Sequence, residues 1–293
     1  MFTHSIITDL NEAKKIWEIL SPHESLYDEW DFRHEYYKYF LYPIEFHVAY
    51  TNKEPVALLP LQYNTSEKLW EFFGGSFMED NRIFTKNNDE LLKKYLVDNL
   101  TKKSYLTWMK EPISGHTCTI IDYKYELQLE NYNSIDDFLL KNFNSKRRNN
   151  LKNQIAQIMS NKVSIVNGSI SEFELMVEMN KKRFKEESTF HYPHREDFFR
   201  DIIKKYKSEL TTIFVNDNPE AVGLSIHFKE STIGLNSGTN ITYNGLGKFL
   251  ILQKINSAIQ NGSKMYDARA GDLGWKESFN FNKRPQYMIE INK

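Results

Sequence analysis

The sequence predicts an α/β protein of two tandem units, each a mixed central sheet flanked by helices, joined by a long basic helix. Three observations predict it. Strand-like and helix-like patterns alternate along the chain instead of running in blocks. The 293 residues exceed one typical domain of ~100–200 residues. Matched features recur at roughly 160 residues, a domain-sized spacing, whereas solenoid periods are ~20–50.

In the first half, Asp9 to Leu20 carries Leu10, Ala13, Ile16, Trp17 and Leu20 at helical spacing behind an Asp9 cap. Phe46 to Tyr50 and Val56 to Tyr63 read as strands joined by the turn-like Asn52-Lys53-Glu54-Pro55. Leu69 to Phe73 is a further strand closed by Gly74-Gly75. Asp89 to Leu100 reads as a helix with Leu91, Leu92, Tyr95, Leu96 and Leu100 inward, and Lys103 to Trp108 as a short strand. Ser134 to Met159 then reads as one long helix with acids in its first turn, Asp136 and Asp137.

The order repeats in the second half. Ser171 to Glu187 carries Phe173, Leu175, Met176, Met179 and Phe184 at helical spacing. Thr211 to Val215 and Ala221 to Lys229 form a hairpin around Asn216-Asp217-Asn218-Pro219. Thr232 to Leu235 extends the sheet, and Gly247 to Gln260 is a helix with Ile251, Ile255, Ala258 and Ile259 inward, stopped by Asn261-Gly262. Pro55 to Leu59 matches Pro219 to Gly223, Leu69 to Gly75 matches Ile233 to Gly238, and the helix from Asp89 matches the one from Gly247. The expected division is 1–130, a linking helix 131–160, and 161–293.

Composition narrows the class. With 38 Lys+Arg against 39 Asp+Glu the net charge is −1, too little basic field for a chain whose main partner is bulk nucleic acid. Apolar residues at 40% and charged ones at 26% describe a globular chain rather than a disordered one. The single cysteine, Cys118, excludes a disulfide framework and any Cys-cluster metal site. No stretch approaches ~18 apolar residues, and Met1 to Lys15 lacks the apolar core of a secretory signal. A cytoplasmic enzyme without a membrane span is the expectation.

The segment Asn244-Gly245-Leu246-Gly247-Lys248 lies between a strand and a helix. Its glycines let backbone approach a ligand, and the helix start offers N–H groups and a positive dipole end, which suits a diphosphate as well as it suits a plain turn. The matching position of the first copy, Asn87-Asn88-Asp89-Glu90, carries two carboxylates that would repel an anion. A phosphate ligand is therefore expected at the second copy.

The chain resembles the Fem-type (FemAB-like, CelD-like) branch of the GNAT acyltransferase superfamily, which is built from two GNAT-like units. The resembling residues are Pro55 to Leu61, Leu69 to Gly75, the basic run Ser145 to Leu151 and the Gly245-Leu246-Gly247 helix start. They close with Tyr266 to Phe279, similar to the family's Gly-Asp-x-x-Tyr-Lys-x-x-Phe pattern. The resemblance implies transfer of an acyl group from acyl-CoA, with acetyl-CoA the simplest donor and no metal, to an amine of a small molecule, amino sugar or peptide. It implies CoA contacts at Asn244 to Lys248, and a degenerate first unit that is acceptor-side or structural. The alternatives are a Fem-type transferase using aminoacyl-tRNA, or a silent GNAT-like ligand-binding protein. Two positions depart from the pattern: Thr242 stands where GNAT enzymes carry Gln or Arg, and Trp275 where the family carries Tyr. The inserted helical hairpin of peptidoglycan-building Fem proteins is also missing.

Candidate side chains follow. Asp272 and Asp267 flank Arg269 after a strand, so either carboxylate can take a proton or hold the amine, or pair with Arg269. His227 is a candidate base or a satisfied strand histidine. Lys276 can grip an anion, while Trp275 can stack on a sugar or adenine, or pack on Phe279 four residues on. Tyr192, between His191 and His194, belongs to a loop that can face substrate. The basic residues from Lys141 to Lys162 can meet tRNA, draw in anionic substrate, or form a solvated face.

Overall fold

The computed structural model describes residues 2–168, 170–271 and 274–292. The chain forms two compact units, one of Met1–Lys124 with Arg284–Lys293, the other of Tyr125–Lys283.

The first unit holds β1 (Thr3–Ile7), α1 (Leu10–Leu20), α2 (Trp30–Tyr37), β2 (Ile44–Thr51), β3 (Glu54–Asn64), β4 (Leu69–Phe72), the short β5 (Phe84–Thr85), α3 (Glu90–Asp98) and β6 (Ser104–Met109). Its sheet runs β1-β2-β3-β4-β6 and continues to β13 (Asn282–Ile291), which pairs antiparallel with β6 from Tyr287↔Met109 to Ile291↔Ser104. Asp9 starts α1 as its spacing predicts, accepting from the Glu12 N–H at 2.8 Å. Trp17 then fills one side of the sheet among Trp30, Phe46, Phe73 and Phe84, its indole N–H on the Asp28 carbonyl at 2.8 Å. Burying such a side chain contributes roughly 1.5–3 kcal/mol. Leu92, Leu96 and Val97 of α3 fill a second core with Leu59, Leu61 and Leu106. Leu91 departs from expectation. It is 73% exposed, because α3 begins at Glu90 and turns this residue outward.

The second unit contributes β7 (Thr119–Gln128) in its later half, α4 (Ile135–Asn142), α5 (Ser145–Met159), β8 (Val163–Gly168), α6 (Ser171–Phe184), α7 (Arg195–Lys205), β9 (Ser208–Val215), β10 (Asn218–Phe228), β11 (Ser231–Thr239), α8 (Leu246–Gln260), β12 (Met265–Ala270) and α9 (Trp275–Ser278). Its strand order is β7-β12-β11-β10-β9-β8. Strands β8 to β11 are antiparallel, and β11 runs parallel to β12.

The single long helix over Ser134 to Met159 is a misreading. The chain breaks at Phe143 and Asn144, where the Asn144 side chain accepts from the Arg147 N–H at 2.9 Å and starts a new helix. An Asn with acceptor geometry competes with helix continuation at this point. Both helices belong to the second unit.

Candidate functional site

The start of α8 is open. Gly245 takes φ +86°, a left-handed conformation that suits glycine, and no side chain caps the helix. The Phe249 N–H reaches the Gly245 carbonyl and the Leu246 N–H the Tyr243 carbonyl. The first-turn N–H groups of Gly247 and Lys248 face the end of the helix, where the dipole is positive. Gly245 also lies against α5: a Cβ there would come within 3.1 Å of the Gln154 Cβ.

This start opens into a cavity of about 370 Å³ that Asn244, Gly245, Leu246, Gly247 and Lys248 all line. Across it stands Arg183, from the last turn of α6, hydrogen-bonded to the Thr239 hydroxyl. Trp275 and Phe279 close another side, and Leu250 and Ile251 supply apolar wall. Among the described residues the lining holds two cations, Arg183 and Lys248, and no carboxylate. The lining is cationic on one side and apolar on the other, a combination that suits an anion on an apolar body.

Strand β11 reaches this cavity through Ser237 and Thr239. Its pairing with β10 steps over Leu235, between Leu224↔Asn236 and Ser225↔Gly234. Its parallel pairing with β12 covers only Ser231–Ile233 against Met265–Asp267. From Gly234 onward that edge of β11 parts from β12. Asn180 of α6, 3% exposed, fixes the opposite side by donating to the Ser237 carbonyl at 2.7 Å and the Asn236 side chain at 3.1 Å.

The remaining candidates fall in different places. Asp267 is the last β12 residue paired to β11, 3% exposed, with its carboxylate accepting from the Arg269 N–H at 2.7 Å. Arg269 itself takes φ +63°. Asp272 lies outside the described residues. Trp275 lines the cavity and also makes the aromatic contacts its spacing suggests, 6.2 Å from Phe279 and 5.7 Å from Phe281 between centroids. The Lys276 ammonium is turned inward, 5% exposed, donating to the Arg269 and Ala270 carbonyls at 2.9 Å. These bonds tie α9 to the end of β12.

Tyr192 is 62% exposed, under the Arg195 guanidinium and away from the cavity lining. His227 is also remote. It sits by Glu209 and Ser257 at the far end of α8, about 16 Å from Leu246 at ~1.5 Å per residue. There burial raises the Glu209 carboxyl, but hydrogen bonding to His227, Ser257 and Thr211 more than offsets it and holds the group below its usual range.

Two residues escaped sequence reading. Arg183 looked like part of the basic last turn of a helix. Lys254, unremarked in the sequence reading, is 3% exposed, lying over Gly223 and Gly234 with its Nζ on the Leu224 carbonyl at 3.0 Å. Among the described residues no group of three or more His, Cys, Asp or Glu is placed to hold a metal. No described helix is long and apolar enough to cross a membrane.

The equivalent helix of the first unit is closed. Asp89 caps α3 by accepting from the Leu91 and Leu92 N–H groups at 2.8 and 3.3 Å, so a carboxylate occupies the place an anion would take.

Comparison with known proteins gives this geometry a lineage. A family model for FemAB-like proteins, described as peptidoglycan biosynthesis/recognition, matches residues 97–276, more than half of the chain. No curated protein sequence matches it. Among solved structures, a conserved protein of unknown function from Bacteroides thetaiotaomicron VPI-5482 aligns with TM-score 0.62 at 11% identity over 100% of both chains. FemX aligns at 0.60 and 8% identity, over 98% of each chain. A tandem GNAT protein from the clavulanic acid biosynthesis pathway aligns at 0.57 and 9% identity, over 100% of this chain and 99% of that one. At these identities the structural likeness is one of fold, a tandem GNAT arrangement. The family match carries further: the chain belongs to the FemAB-like family.

Proposed function

We propose that the protein is an N-acyltransferase moving an acyl group, in the simplest case acetyl, from acyl-CoA to an amine of a small molecule, amino sugar or peptide. One observation carries the reading: an uncapped helix start, Arg183 and Lys248 converge on a cavity whose described lining holds no carboxylate. Such a surface suits the diphosphate of coenzyme A. The Gly247 and Lys248 N–H groups and the Arg183 guanidinium would hold it, with the thioester arm directed along the parted edge of β11. A backbone N–H between Leu235 and Gly238 other than that of Ser237, which donates to the Asn236 side chain at 3.0 Å, would steady the carbonyl oxygen as it gains charge.

The acceptor sets the other demand. An amine of pKa ~10.4 is mostly protonated at pH 7, and freeing it costs about 4–5 kcal/mol at ~1.4 kcal/mol per unit. Asp267, though buried and absent from the cavity lining, and Asp272 are the carboxylates that the sequence offers to take that proton. Trp275 would stack on a planar part of either substrate. The first unit, with its helix start closed by Asp89, would serve the acceptor side or act as support.

Calorimetry with coenzyme A and acetyl-CoA tests the reading. Binding by the unmodified protein, weakened at least tenfold in Arg183→Ala, is expected. Failure of the unmodified protein to bind either molecule ends it.

A Fem-type reaction drawing on aminoacyl-tRNA is the second reading, and the family match supports it equally. The basic helix α5 would meet the RNA through exposed Lys146 and Lys152. Arg147 and Arg148 serve the fold, bonding to the carbonyls of Ser278 and Phe143. Affinity for tRNA that does not change with salt would remove this reading.

A further inference from the structure

A second cavity of about 450 Å³ adjoins the first, sharing Arg183, Thr239, Asn240 and Ile241 with it. Its apolar surface comes from Leu175 and Met179 of α6 and from Ile241. Leu175 and Met179 are only half-buried on a helix whose Phe173 and Met176 are fully buried, and Ile241 is 82% exposed. Lys182, Arg183 and Lys185 line the same space against one carboxylate, Glu178.

Two accounts compete for these cations. Basic residues at the end of a helix complement its dipole, which explains the sign of Lys182 and Arg183. It does not explain the apolar surface beside them. Nor does it explain Lys185, which follows α6 at φ +48°, ψ −127°, a strained conformation for a residue with a side chain. A glycine would take that position without strain, yet the chain carries a lysine that lines the cavity.

We propose that this second cavity binds a small ligand carrying an anionic group, a carboxylate or phosphate, on an apolar body. The apolar body lies on Leu175, Met179 and Ile241, and the anionic group meets Lys182 and Lys185. The site adjoins the first cavity and shares Arg183 with it, but the proposal does not depend on the acyl-transfer reading.

The test uses the full chain with ¹³C-labelled Met, Leu and Ile methyl groups, titrated with 4-phenylbutyrate and with its neutral counterpart 4-phenylbutan-1-ol. The methyls of Leu175, Met179 and Ile241 are expected to shift, with the acid binding at least tenfold more tightly than the alcohol. Lys182→Ala combined with Lys185→Gly should weaken the acid at least tenfold, and Lys185→Gly relieves backbone strain, so the fold is kept. Lys248→Ala, which touches only the first cavity, should leave the affinity within twofold. Equal affinity of acid and alcohol overturns the proposal. So do shifts confined to Leu250 and Ile251 of the first cavity, or no shift at millimolar ligand. A chain that fails to bind coenzyme A yet gives the expected shifts would sink the donor reading and leave this one standing.

Discussion

Arg183 reaches to 3.8 Å, through its Nη1, from the point where a Cβ on Gly247 would sit, and among the described residues no other atom outside that glycine's neighbours and its own helix backbone comes within 4 Å of that point. The helix start therefore has room for a side chain, and the first atom it meets is a cation. Gly247→Asp should fold. A carboxylate in the first turn of a helix stabilises by ~0.3–1 kcal/mol, while the same charge fills the place of a diphosphate. Stability unchanged or raised, with coenzyme A affinity down at least tenfold, is the expected pair of results from thermal melting and calorimetry. Undiminished affinity would place the phosphates elsewhere.

Gly238 is the opposite case. A Cβ there would lie 2.4 Å from the Met176 carbonyl oxygen and 2.7 Å from the Met179 Cβ, and backbone cannot swing aside as a flexible side-chain end does. Gly238→Ala must push α6 away from β11. A cost of about 1–3 kcal/mol is expected in urea unfolding, with weaker coenzyme A binding, because α6 carries Arg183.

Lys254 gives a pH dependence. Burial pushes its ammonium down to about 7, with the Glu209 charge opposing part of that shift. In the unfolded chain the group titrates near ~10.4. Between these values the unfolded chain holds a proton that the folded one does not, so stability rises with pH across the window and this group adds no slope below it. Lys254→Met should flatten the rise between pH 7 and 9.5 and raise stability at pH 7 by up to ~4 kcal/mol. Parallel stability curves for the two proteins in that range would contradict the burial argument.

Asp89→Ala tests the asymmetry between the helix starts. Loss of this cap should cost ~1 kcal/mol and leave coenzyme A affinity within twofold. A new or stronger phosphate interaction in this variant would mean that Asp89 had been excluding an anion from a competent site.

Much of this was legible in local pattern. Asp9 before an apolar stripe announced α1, and paired strands around Asn52-Lys53 and Asn216-Asp217 announced both hairpins. The glycines at 245 and 247, between a strand and a helix, located the open helix start. What escaped depends on distant chain. Arg183 meets Gly247 across more than sixty residues, and in sequence the Lys181-Lys182-Arg183 run looks like any basic helix end. Leu175 and Met179 read as core by period, yet the period cannot tell a buried face from a half-covered one. The ammonium of Lys276 donates to the Arg269 and Ala270 carbonyls, which spacing does not encode.

The last strand has a consequence for how the molecule can be made. Ile289 and Ile291 belong to the same apolar cluster as Leu59 and Leu106, and Arg284 and Gln286 reach the buried carboxylate of Asp80 at 2.7 and 2.9 Å beside Lys124. The lobe that leaves the ribosome first thus waits, one strand short and with an acid half-neutralised, until the other lobe has been translated. Clipping off those terminal residues would leave the early-born body without its last apolar side chains and without two of the partners of that acid.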